Sequence, residues 1–132
     1  MTTSHHQLSL AARLSEAILE MPAERLRAFA SKRPMVSDRA ADEILKPLVE
    51  MLKNSDEFVD SEIGIRDAVG GAEPDEMRQL EYTLFVTLKT MRPSLRSNLA
   101  TGGPVLKRNG AQAIADELVL KLESWAFHQL HP

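Results

Sequence analysis

Cysteine is absent from this chain. That excludes a disulfide scaffold, a thiol nucleophile and a cysteine-bound zinc site. Aromatic residues are scarce at 5%, with one Trp and one Tyr. No apolar run approaches ~18 residues, so no segment reads as a membrane span. The opening residues, Met1 to His6, lack the basic start and apolar core of a secretory signal. A cytoplasmic protein with no membrane partner is the expectation. Neither sign of charge dominates: the net charge of -3 is too small by itself to imply a nucleic-acid or membrane partner. No repeat and no low-complexity tract is visible.

Histidine is missing from the whole interior. His5, His6, His128 and His131 all lie near an end. A Ser-His-Asp site needs an imidazole on a rigid element, and none is offered away from the ends. No carboxylate stands at ligand spacing beside either histidine pair. Glu16, Glu20 and Glu24 recur at four-residue spacing, and Asp56, Glu57, Asp60 and Glu62 cluster. No Glu-x-x-His occurs, as a bundle diiron site requires, and the cluster lacks the glycine of a calcium loop. Gly70-Gly71 and Gly102-Gly103 lack phosphate-loop spacing. The sequence therefore predicts no enzyme, no catalytic residue, no cofactor and no metal.

What is abundant favours helices. Leucine and alanine number 18 and 15, against 18 for Val, Ile and Thr together. Ser4 and Gln7 have capping-box spacing, and Leu10, Leu14, Ala17, Ile18 and Met21 follow on one face. Pro22 ends that helix and can open a short one over 23–31, closed by Pro34. Ser37 reads as the N-cap of a third helix, with Ala41, Ile44, Leu45, Leu48, Met51 and Leu52 as its stripe. Pro47 lies on its wet face. Residues 55–71 suggest short helical turns. Glu73-Pro74-Asp75-Glu76 is a strong helix start, and Met77, Leu80, Leu84, Leu88 and Met91 align behind it. Residues 82–90 also alternate like a strand, but the helical stripe and its cap prevail. Pro93 kinks or ends this helix, Gly102-Gly103-Pro104 is a loop, and a last helix runs from about Gly110 to Leu130. Ile114, Leu118, Leu122 and Trp125 form its inner face. The expectation is a single all-α domain over 1–132: a compact bundle of about five helices, dimeric.

Charge is unevenly placed. Residues 36–76 carry -8 (four basic, twelve acidic), while residues 77–108 carry +5 (six basic, one acidic). Arg78, Phe85, Lys89, Arg92 and Arg96 fall on one helical face, a basic stripe that must meet either carboxylates or phosphates. Carboxylates are expected, because the chain itself supplies twelve in 36–76. On the last helix, Leu120 and Phe127 lie half a turn from the inner face, with Leu130 beside them. This second apolar edge predicts an interface with another protein, in the first place a second copy.

A small non-enzymatic regulatory or adaptor protein follows, of antiactivator, adaptor or chaperone type, acting by helix-mediated binding to another protein. The alternative is a DNA-binding regulator. It would use a helix-turn-helix-like segment over 23–52, with Arg25, Arg27, Lys32 and Arg33 near the DNA, or the 78–96 stripe. Asp42 and Glu43 in its second helix weigh against base reading.

Overall fold

Residues 9–54 and 64–132 are described by a computed structural model of the chain. Every regular element among them is an α-helix. The order is α1 (Leu10–Leu19), α2 (Ala23–Phe29), α3 (Pro34–Lys53), α4 (Ile65–Gly70), α5 (Pro74–Lys89), α6 (Pro93–Thr101) and α7 (Pro104–Leu130). Among the described residues the all-helical expectation is met, with seven helices where about five are expected. Residues 82–89 are helical and Thr90 is the C-cap, as the cap and stripe favoured over the strand alternation. The Ser4–Gln7 cap and the Asp56–Glu62 cluster lie outside the described residues.

Most differences come from prolines read as endings or as loop that are in fact beginnings, while α4 falls where short helical turns are expected. Pro34, Pro93 and Pro104 each stand in the first turn of a helix. There the missing N–H is one of the orphan donors, and the fixed φ already suits a helix. So α3 starts before Ser37, which is buried and donates to the Pro34 carbonyl at 3.3 Å. Likewise α6 is a helix of its own, and α7 starts well before Gly110. Gly102 turns the chain between them. A Cβ there would stand 2.6 Å from the Asn98 oxygen and 2.8 Å from Leu106 Cβ, so only glycine fits. Gly64 precedes α4 with φ +80, the left-handed region that glycine enters freely.

The structure also overturns the absence of a repeat. Leu10, Leu14, Ile18 and Met21 correspond to Leu80, Leu84, Leu88 and Met91, each 70 positions on. The same offset relates Phe29 to Leu99, Pro34 to Pro104, Ala41 to Ala111, Ile44 to Ile114, Leu48 to Leu118 and Leu52 to Leu122. Except for the two prolines, both members of every pair are buried or, for Met21, packed on the core. Thus α1–α2–α3 and α5–α6–α7 are two versions of one unit, a helix, a short helix and a long helix, with α4 between them.

The contacts follow an approximate two-fold. The short helices α2 and α6 touch each other. Helix α1 packs along α7, the long helix of the other unit, and α5 reciprocally packs on α3. Within each unit the short helix crosses the long one: α2 on α3, α6 on α7. Small residues allow that crossing. Ala40 and Ala41 stand at one crossing and Gly110 and Ala111 at the other, all buried. A Cβ on Gly110 would already lie 3.3 Å from the Leu95 oxygen of α6.

Helix α5 is held at its start by a reciprocal capping box between Glu73 and Glu76, the Glu73 N–H donating to Glu76 at 2.8 Å. That bond, joined by one from Gln129 of α7, holds the Glu76 carboxyl below its ordinary value of 4.5. A lowered carboxylate pKa in the folded state gives stability that is complete above the unfolded value. It is lost as pH falls through the folded value. Denaturation midpoints of the wild type and Glu76→Gln, followed from neutral pH down to about pH 3, should therefore converge as the carboxyl protonates. A gap between them that stays constant across that range would contradict this.

Candidate functional site

The basic stripe is divided among different tasks. Arg78 pairs with Asp75 one turn before it on α5. Lys89 reaches Asp38 of α3 at 3.4 Å and stands 5.6 Å from the centre of the Phe85 ring. Arg96 turns inward. Its guanidinium donates to the Leu88 carbonyl at 3.1 Å, to the Lys89 carbonyl and, at 3.5 Å, to the Phe29 carbonyl. It also lies 4.8 Å from the centre of the Phe29 ring. One side chain thus meets carbonyls at the last turns of α5 and α2, where intrahelical donors run out; that of Leu88 also accepts the Met91 N–H at 3.2 Å. Burial pushes the guanidinium below its ordinary pKa, while Asp38 opposes that shift. Arg92 is exposed at the start of α6.

The five stripe residues are therefore not one cationic surface. Lys89 and Arg96 knit α5 and α6 to α3 and α2. They meet a carboxylate of the acidic block and backbone carbonyls.

The 23–52 segment is a short helix, a turn and a long helix. Arg27, Lys32 and Arg33 are exposed there, and Arg25 donates to the Met21 sulfur at 3.2 Å. Beside them Met35, 87% exposed, and Val36 protrude from the first turn of α3.

Helix α7 is the longest element and carries the predicted apolar edge. Leu118, Leu122 and Trp125 face the core, while Leu120 and Phe127 stand 58% and 50% exposed on the opposite side. At about 100° per residue, Leu106, Ala113, Leu120 and Phe127 form one outward row, each seven residues from the next. The sequence reading missed Leu106 and Ala113, though that spacing would have found them. Leu130 is set to one side: its Cδ1 stands 3.4 Å from where a Cβ on Gly64 would be. It therefore belongs partly to the α4 contact. The Phe127 ring lies 4.6 Å from that of His131, and His128 meets the Ser124 carbonyl at 2.8 Å. Among the described residues no three His, Asp or Glu side chains gather as metal ligands would. Among them, too, no helix is long and apolar enough to cross a membrane.

No protein-family model matches the chain, and no curated protein or solved structure matches it. The reading of function therefore rests on the surface itself.

Replacing Arg96 tests its structural role. Arg96→Met keeps much of the stem but leaves carbonyls of two helix ends without a donor. It should lower the unfolding free energy by about 1.5–3 kcal/mol, measured by urea denaturation. Arg96→Lys should recover part of this, since an ammonium lacks the planar fork that bridges two helices. A loss below about 0.5 kcal/mol, the range of surface substitutions, would contradict the role.

Proposed function

We propose that this chain is a non-enzymatic adaptor that works by helix-mediated protein binding and self-associates through the outer face of α7. The observation that carries the reading is the row Leu106, Ala113, Leu120 and Phe127. Ala113 is half-buried, and the other three are among the most exposed large apolar side chains described. The row suits antiparallel pairing with a second copy. In that register Leu106 opposes Phe127, and Ala113 opposes Leu120, so Phe127 and Leu120 each meet a smaller side chain. Covering the exposed parts of Leu120 and Phe127 on both copies contributes about 3–5 kcal/mol. Asp116 and Glu117 come near their own counterparts at the middle of such a seam, and their repulsion is screened by salt. A regulatory role would come from what the assembled chain then holds.

A second reading, nucleic-acid binding at the α2–α3 corner, is favoured by the exposure of Arg27, Lys32 and Arg33. It is the weaker one, because Lys89 and Arg96 of the other basic segment already have protein partners.

Sedimentation analysis of the wild type and the double variant Leu120→Ser/Phe127→Ser tests the reading. The wild type should dimerise, more strongly as salt rises, and the variant should be monomeric with unchanged helix content. A monomeric wild type, or an unaffected dimer in the variant, would remove the α7 face from the proposal. Duplex DNA bound tighter than about micromolar, with affinity falling steeply as salt rises, and lost in Arg27→Glu/Lys32→Glu, would favour the second reading.

A further inference from the structure

Each unit of the repeat leaves a hollow between its first and third helices. One, of about 520 Å³, lies among α1, the start of α2 and α3. The other, of about 500 Å³, lies among α5, the start of α6 and α7. They are one cleft twice over. Arg13, Ala17, Glu20, Met21 and Pro22 line the first; Thr83, Thr87, Thr90, Met91 and Arg92, each 70 positions on, line the second. Pro47 and Met51 of α3 likewise become Glu117 and Lys121 of α7. Size and position have been kept, while most of the polar lining has changed.

That combination points to the kind of occupant. A small polar molecule needs the same donors and acceptors at each site, and these two clefts do not share them. What they share is volume, a methionine in the same place and a short side chain beside it. Methionine adapts to varied apolar shapes, as surfaces that receive helices require. Each rim also holds both signs of charge, Glu20 with Arg25 in one and Glu117 with Arg92 in the other. A polyanion would be repelled by the carboxylates of either rim, whereas a helix with mixed polar flanks meets both signs. We propose that each cleft receives the apolar ridge of an amphipathic helix, so that one chain holds two copies of one kind of partner helix. This rests on the adaptor reading in requiring a protein partner; the first cleft takes no residue of the α7 row, while the second is bordered by Ala113 and Glu117 of that seam.

The test uses the full chain with ¹³C-labelled methionine methyls. The probe is a designed peptide of about four helical turns, with leucines on one face and alternating glutamate and lysine elsewhere. Titration should shift both Met21 and Met91 and saturate at two peptides per chain. Ala17→Leu should fill the first cleft, weaken binding there at least tenfold and leave the Met91 response intact. Thr87→Leu, at the position of the second unit that matches Ala17, should do the converse. Should either variant unfold, the methyl response and stoichiometry of the unsubstituted chain decide alone. Silence at both methionines, one peptide per chain, or binding unaffected by both filling variants would overturn the proposal. The Leu120→Ser/Phe127→Ser variant should still bind two peptides. Retention of both sites alongside an unchanged oligomeric state would remove the α7 seam but leave the clefts. Loss of both sites in that variant would overturn the clefts.

Discussion

A helix of ten residues such as α1 cannot persist without burying its apolar stripe, and its own unit does not do this for it. Within the first unit, α1 has only slight contact with α3; its long partner is α7, contributed by the other unit. The reciprocal contact sets α5 on α3. Leu14 and Ile18 on one side, Leu84 and Leu88 on the other, are sealed by this exchange. Helix α1 is thus satisfied by a foreign third helix, whereas α5 packs on its own α7 as well as on α3, so each unit depends on the other for part of its burial. The hollow between α1 and α3 follows from the same exchange.

The two units have diverged where they meet other parts of the molecule. Arg96 has no counterpart of the same kind in the first unit, although Arg27 stands at nearly the same place in α2 and is exposed. Asp38 corresponds to Arg108, and Lys89 to Leu19, so the ion pair that ties α3 to α5 has no equivalent between α7 and α1. There the contact is more extensive and apolar. Ser15 of α1 becomes Phe85 of α5, which supports Lys89 instead. Both halves of the exchange are buried apolar contacts, and α3 with α5 adds one partly exposed ion pair.

Much of this was legible in the sequence wherever one face of a helix alternates with water. The stripes of α1, α3, α5 and α7 were readable because their burial has a 3.6-residue period, and the outward phase of Leu120 and Phe127 was readable for the same reason. Helix starts were less so. Pro34, Pro93 and Pro104 give the same local signal whether they close one helix or open the next. The 70-residue repeat was hidden because burial constrains size and apolarity rather than identity, as Ile18 and Leu88 or Phe29 and Leu99 show. The inward turn of Arg96 was beyond reach, since its partners are backbone carbonyls of α2 and α5. So were the clefts, whose lining joins residues of three helices in each unit.

The exchange of helices between the two units can be tested by separating them. Residues 1–63 and 64–132, produced as two polypeptides, should each be largely unfolded as a monomer by far-ultraviolet dichroism. Helix should appear when they are mixed in equal amounts, with a transition that depends on concentration. Either half folding cooperatively as a monomer, with the mixture adding nothing, would contradict the account.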